Sequence, residues 1–91
     1  METRYAWDPE KAESNYRKHG VLFSEARTVF DDPLMLVYED GEHSFMEQRY
    51  LAVGCSVDSR LLLVAYTERA DVIRIISARE VTRRERRAYE G

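Results

Sequence analysis

Three strand-like runs joined by short turns constrain this chain more than any other feature: residues 47–55, 61–67 and 72–78. Val57-Asp58-Ser59-Arg60 and Arg69-Ala70-Asp71 supply the turns, and consecutive strands linked in this way form an antiparallel meander. The run 61–67 is apolar on both faces, which predicts a central strand. A fourth run, 34–39, precedes them and is followed by the turn dipeptide Asp40-Gly41, with the polar Glu42-His43-Ser44 lengthening the loop. Residues 4–7 predict a short edge strand at the N-terminal end.

Helices flank the strands. Asp8 is placed to cap a helix over 9–19, Pro9 suits its first position, and Gly20 can end it in a left-handed conformation. Ser24 begins a second helix, with Phe23 just before its cap and Val29 and Phe30 closing its apolar face, until Asp31-Asp32-Pro33 stops it. Thr82 with Glu85 three residues later forms a capping box for a last helix. The order strand, two helices, four strands, helix predicts one α+β domain spanning residues 1–91, with helices packed on a small antiparallel sheet.

The composition fits a compact protein, with 34% charged and 44% hydrophobic residues. The single cysteine, Cys55, excludes an internal disulfide and fits a reducing compartment. Charge begins at residue 2 with no apolar segment behind it, so no signal peptide is expected, and no apolar run is long enough for a membrane span. A cytoplasmic location is expected.

The net charge of −3 argues against a general polyanion binder. Its distribution is segregated. Residues 31–47 hold Asp31, Asp32, Glu39, Asp40, Glu42 and Glu47 without a lysine or arginine, whereas residues 69–87 hold seven arginines against Asp71, Glu80 and Glu85. Such a division predicts one anionic partner and one basic one, and it also fits an ordinary salt-bridged surface.

Few groups are placed for chemistry. Alternation puts Glu47, Arg49, Leu51 and Val53 on one face of their strand. On the last strand it puts Val72, Arg74, Ile76 and Ala78 on one face and Ile73, Ile75, Ser77 and Arg79 on the other. An arginine among β-branched residues needs a carboxylate or an anionic ligand. For Arg74 a salt bridge to Glu47 or Glu68 would serve; Arg79 leaves the sheet at a strand end, where sites collect. Lys18 and His19 lie in the last turn of the first helix, a place that the helix dipole alone favours for cations. Glu85 and Tyr89 share a helix face, a spacing that also fits core packing. No ligand pair has a diagnostic metal spacing. A histidine, a glutamate and several arginines without a metal suit cleavage of RNA through its own 2′-hydroxyl. A base and an acid would each contribute about 10²–10⁴-fold, with arginines stabilising the charge that grows on phosphorus.

Taken together, Trp7-Asp8-Pro9-x-Lys11-Ala12, Asn15, Lys18-His19-Gly20-Val21-x-Phe23, Glu25-Ala26, Val29-Phe30 and Asp32 resemble the N-terminal half of the BrnT toxins of bacterial toxin–antitoxin systems. Glu47-x-Arg49, Gly54, Tyr66-Thr67-Glu68-Arg69, the run Ile73-Arg74-Ile75-Ile76-Ser77-Ala78-Arg79 and Glu85-Arg86-x-x-Tyr89 continue the resemblance to the C-terminal half. It covers almost the whole chain, in collinear order. The clearest departure is the loop 39–46, which leaves substrate preference open.

The resemblance implies a RelE-like fold and a metal-independent endoribonuclease toxin that cleaves RNA and arrests translation, with no cofactor. It makes His19 and Glu47 the expected acid–base pair, with Lys18, Arg49 and Arg79 on the scissile phosphate and Tyr89 orienting a base or phosphate. Arg74, Ser77 and Arg83 are expected as further RNA or phosphate contacts. The implied partner is a BrnA-type antitoxin, in a heterotetramer built on an antitoxin dimer. Operator DNA would be bound only through the antitoxin, and no membrane is involved. Two other classes compete with this reading. One is a non-catalytic module that binds a DNA-binding partner and regulates transcription with it; the other is a metal nuclease using the acids of 31–47.

Overall fold

The computed structural model describes residues 2–43 and 47–91. Five strands form one sheet: β1 (Arg4–Ala6), β2 (Leu36–Glu39), β3 (Arg49–Cys55), β4 (Leu61–Arg69) and β5 (Val72–Glu80), in the spatial order β1-β5-β4-β3-β2. The helices are α1 (Pro9–His19), α2 (Phe23–Arg27) and α3 (Arg83–Glu90). The expected α+β architecture is present, with β2 to β5 as an antiparallel meander and β4 in the middle of the five-stranded sheet. The N-terminal strand differs from its neighbours: β1 lies parallel to β5, with Arg4 beside Val72 and Ala6 beside Arg74. No hairpin joins these two strands, so no turn dictates their relative direction. The chain leaves β1 directly into α1, and the rest of the molecule intervenes before β5 is reached.

The helix signals act as physical chemistry requires. The Asp8 carboxylate accepts the Glu10 N–H at 2.9 Å, Pro9 opens α1, and Gly20 takes φ 69° while its N–H closes on the Tyr16 carbonyl. The second helix is shorter than the sequence predicts. It starts at Phe23 with Leu22 as its cap and gives way to a 3₁₀ turn over Thr28–Asp31. The Thr28 hydroxyl explains the change: it donates to the Glu25 carbonyl at 2.6 Å and accepts the Val57 N–H at 2.8 Å.

One sheet face carries the core. Val21, Phe23, Ala26 and Val29 pack on Ala52, Leu62, Val64, Tyr66, Ile75 and Ala78, all nearly inaccessible. Trp7 meets Phe23 edge-on, Phe30 meets Tyr66 edge-on, and Tyr50 stacks on Tyr66. Burial pushes the Tyr66 hydroxyl up to about 12.

A polar side chain completes the sheet edge where β1 stops. Asn15, buried on α1, accepts the Ala78 N–H at 3.0 Å and donates to the carbonyls of Ala78 at 2.9 Å and Val21 at 3.0 Å. Its amide thus takes the place of a neighbouring strand for one residue of β5 and fixes α1 along that edge. A second anchor lies at the end of α1. Arg60 binds both Glu25 carboxylate oxygens and the Gly20 carbonyl, and Ser56 donates to the same carboxylate at 2.7 Å. Hydrogen bonding from Arg60 holds the Glu25 carboxyl below its usual range despite its burial.

Candidate active site

A single extra residue in β5 decides which side chains meet. Val64 pairs with Ala78 and Ala65 with Ser77, but Tyr66 pairs with Ile75, so Ile76 is unmatched and forms a bulge. Strict alternation would place Arg79 on the face of Ile73 and Ile75. The bulge instead returns Ala78 to the buried face, 1% exposed, and turns Ser77 and Arg79 to the side of Arg74. On that side Arg74 lies across from Thr67, which in turn lies across from Arg49.

A cleft of about 270 Å³ opens there, lined by Lys11, His43, Glu47, Arg49, Thr67, Arg74 and Ile76. A second hollow continues it, lined by Glu47, Thr67, Arg69, Val72 and Arg74. Four elements therefore supply cations around one carboxylate: Lys11 from α1, Arg49 from β3, Arg69 from the end of β4 and Arg74 from β5. Arg69 lies 3.2 Å from the Glu47 carboxylate. His43 sits in a 3₁₀ turn over Gly41–His43, with its Nδ1 3.0 and 3.1 Å from the two Asp40 carboxylate oxygens. That contact sets the imidazole orientation and leaves Nε2 as the other polar atom of the ring. The arrangement can bind a phosphate diester and move protons beside it, on a protein whose net charge is −3.

Glu47, Arg49 and Arg74 are thus brought together as expected, although β3 begins only at Arg49 and Glu47 precedes the strand. The expected meeting of His19 with Glu47 does not occur. Asn15, one turn before His19, is bound to Ala78, and Gly20, just after it, is bound to Arg60, which also approaches Glu80 at 3.5 Å. Arg74 and Glu80 are six positions apart along β5, roughly 20 Å at about 3.3 Å per residue. Lys18 and His19 therefore lie exposed at the opposite end of β5 from the cleft. Their place in the last helical turn follows from the dipole preference for cations there.

Arg79 and Tyr89 have structural partners. The two terminal nitrogens of the Arg79 guanidinium each lie 2.9 Å from a Glu85 carboxylate oxygen, and Arg79 also donates to the Glu80 carbonyl. Glu85 in turn accepts the Thr82 N–H while Thr82 accepts that of Glu85, completing the capping box. Hydrogen bonding from Arg79 holds the Glu85 carboxyl down at about 2. Arg79 thereby buckles the start of α3 to β5. The Tyr89 hydroxyl secures the other end, donating to Asp32 at 2.5 Å, an acceptor that pushes the phenol up to about 12. Asp32 also accepts the N–H groups of Cys55 and Leu34. Burial opposes its charge, but the donations from Cys55, Tyr89 and Leu34 outweigh it and lower the carboxyl. Ser77 is half-buried opposite Ala65, and Arg83 is exposed in the first turn of α3.

Lys11 and His43 were not among the expected site residues. Lys11 lies in the N-terminal motif, but its position at the cleft depends on how α1 lies along β5. The i,i+3 spacing of Asp40 and His43 is a local signal for a carboxylate-held imidazole that sequence reading passed over.

Known proteins agree with this architecture. The crystal structure of the ribonuclease toxin BrnT of Brucella abortus superposes with a TM-score of 0.67, covering 89% of this chain and 99% of that one at 19% identity. Among curated protein sequences none matches the chain. The family model described as "Ribonuclease toxin, BrnT, of type II toxin-antitoxin system" matches residues 7–85. The chain therefore belongs to the BrnT family of ribonuclease toxins of type II toxin–antitoxin systems.

Proposed function

We propose that this chain cleaves RNA in the cleft around Glu47, without a metal ion, by attack of the ribose 2′-hydroxyl on the adjacent phosphorus. Glu47 takes the 2′-hydroxyl proton as the P–O bond forms. His43, oriented by Asp40, gives a proton to the departing 5′-oxygen as the bond between phosphorus and that 5′-oxygen breaks. The products are a 2′,3′-cyclic phosphate and a 5′-hydroxyl end. Lys11, Arg49 and Arg74 hold the phosphate and stabilise the negative charge that builds on its equatorial oxygens. Arg69 pairs with the Glu47 carboxylate and orients it at the cleft. Arg79 and Tyr89 act at a distance, by fixing α3.

The observation that carries this reading is one carboxylate set among cations delivered by four separate elements of an acidic protein. Its consequence is arrest of translation in the cytoplasm. Among the described residues no helix is long and apolar enough to cross a membrane. The protein partner is the antitoxin of a type II system; a BrnA-type dimer carrying two toxins, with operator DNA bound by the antitoxin, is the assembly we propose.

Cleavage of RNA by the purified protein in excess EDTA tests the chemistry. We expect cleavage to persist, to leave cyclic phosphate ends, and to fall about 10²–10⁴-fold in Glu47→Gln with the fold intact. Loss of cutting on chelation, or full activity in Glu47→Gln, overturns the assignment.

A further inference from the structure

Among the described residues no further strand pairs with the outer edge of β2. β2 is an end strand of four residues, and Leu36–Glu39 holds no lysine, no proline and no bulge against β3. The Asp40 N–H binds the Arg49 carbonyl, so alternation turns the backbone groups of Tyr38 and Leu36 inward and those of Val37 and Glu39 outward. Large apolar side chains gather beside this row. Leu34 is 69% exposed, Val37 49% and Tyr38 44%, half of the exposed large hydrophobics among the described residues. On the α3 side, Tyr38 borders a hollow of about 230 Å³ with an apolar floor of Leu51, Val53 and Leu63 and a wall of Arg84, Glu85 and Ala88 from α3.

Charge selects the occupant. Between Arg27 and Arg49 the sequence has no lysine or arginine, whereas Glu39 and Glu42 are exposed acids; Asp31, further back, is already paired with Arg27 at 2.6 Å. A second copy of this chain, paired edge to edge, would bring Glu39 and Glu42 near their own counterparts, with no lysine or arginine in the same stretch to offset them. A segment with alternating basic and apolar residues would satisfy the outward N–H and C=O groups, set its apolar side chains beside Tyr38 and Val37, and meet the acids with its charges.

We propose that the outer edge of β2 receives a basic, extended segment of the antitoxin by strand addition. This rests on the antitoxin partner that the family implies, and not on the ribonuclease chemistry. The geometry also gives the contact a direction. β2 ends at Glu39, and the chain continues through Asp40 to His43 at the rim of the cleft. A segment paired along β2 therefore runs to the mouth of the proposed active site.

The test uses nuclear magnetic resonance titration of the labelled protein with a short synthetic peptide alternating lysine and valine, beside a control peptide with glutamate for lysine. We expect the amides of Val37 and Glu39 to shift with the basic peptide only, and binding to weaken as salt rises. Val37→Pro removes an outward N–H that β3 does not use, a position where proline is tolerated at an edge. It should weaken the peptide about tenfold or more, and Glu39→Lys, a surface change that cannot disturb folding in the same way, should weaken it as well. In the complex with the antitoxin, hydrogen exchange at Val37 and Glu39 should slow about tenfold or more relative to the free protein. Shifts confined to the residues around Glu47, equal binding of the acidic control, or unchanged exchange in the antitoxin complex overturn the proposal. So does self-association that Val37→Pro abolishes, because a second copy would then be the occupant. All these readouts are independent of RNA cleavage, so an inactive ribonuclease would leave them intact.

Discussion

Replacing Asn15 by alanine removes three hydrogen bonds and fills none of the positions left behind. The Ala78 N–H loses its acceptor, and the carbonyls of Ala78 and Val21 each lose a donor. Asn15 is 6% exposed, so water does not readily replace the amide. A buried unsatisfied donor costs about 1–3 kcal/mol, and a carbonyl that keeps another partner costs less. The total is about 3 kcal/mol, equivalent to a fall in Tm of roughly 15 °C for a domain of this size. Urea unfolding should show a lower midpoint with an unchanged slope. The effect should extend to function, because α1 carries Lys11 to the cleft rim and Asn15 holds α1 on β5. Asn15→Asp sharpens the test. It keeps an acceptor for the Ala78 N–H but turns a carboxylate oxygen toward two carbonyls, which favours the protonated form. Its folded pKa then lies above the unfolded value, so the stability of this variant is fully present below about 3.9 and is lost as pH rises through the folded value. The variant should approach the wild type in acid and fall furthest behind near neutrality. Stability of Asn15→Ala within about 0.5 kcal/mol of the wild type, or an Asn15→Asp curve parallel to the wild type at all pH, would refute the reasoning.

Other perturbations probe other parts of the molecule. The Glu85 carboxyl is held down at about 2 in the folded protein, below its ordinary value of about 4.3, so its contribution is present above about 4.3 and disappears as pH falls towards 2. After discounting for the partial exposure of the Arg79 pair, Glu85→Gln should cost about 1–2 kcal/mol near neutrality, with the two unfolding curves converging in acid. Gly54→Ala would set a methyl group 2.9 Å from Val29 Cγ1 and 3.2 Å from Asp32 Oδ2, and overpacking of this kind costs about 1–3 kcal/mol. Val29→Ala in the same chain should recover part of that loss in chemical denaturation, whereas strictly additive effects would contradict the contact. Lys11→Ala should lower kcat/KM for RNA about tenfold and flatten its salt dependence without altering Tm; an unchanged rate would remove Lys11 from the site.

The elements whose signals lie within a few residues were legible. Asp8, Pro9 and Gly20 bound α1, and Thr82 with Glu85 caps α3, because capping geometry depends only on the local backbone. The meander followed from turn residues and from the doubly apolar β4. The direction of β1 was hidden, since its pairing with β5 is chosen by how α1 packs rather than by a turn. The bulge at Ile76 was hidden as well. Nothing in Val72–Glu80 marks an extra residue, yet that residue moves Arg79 to the other face. In the candidate site, Glu47, Arg49 and Arg74 could be read as charges near strand ends. His19 was misleading because a basic residue in a last helical turn has a sufficient reason in the dipole alone. His43 lies in a short irregular turn, where no periodicity predicts which way a side chain faces.

The parallel pairing of β1 with β5 also orders events during synthesis. Arg4 waits for Val72 and Asn15 for Ala78, so the first strand and first helix have no edge to join until the last strand has emerged. Contacts so distant in sequence close late and slow the final folding step. Lys11 and Arg74 meet at the cleft only when that step is complete. A nascent chain that ends within the meander therefore presents its arginines and its glutamate without the surface that gathers them. The cell meets the assembled cleft only after the chain has been made through β5.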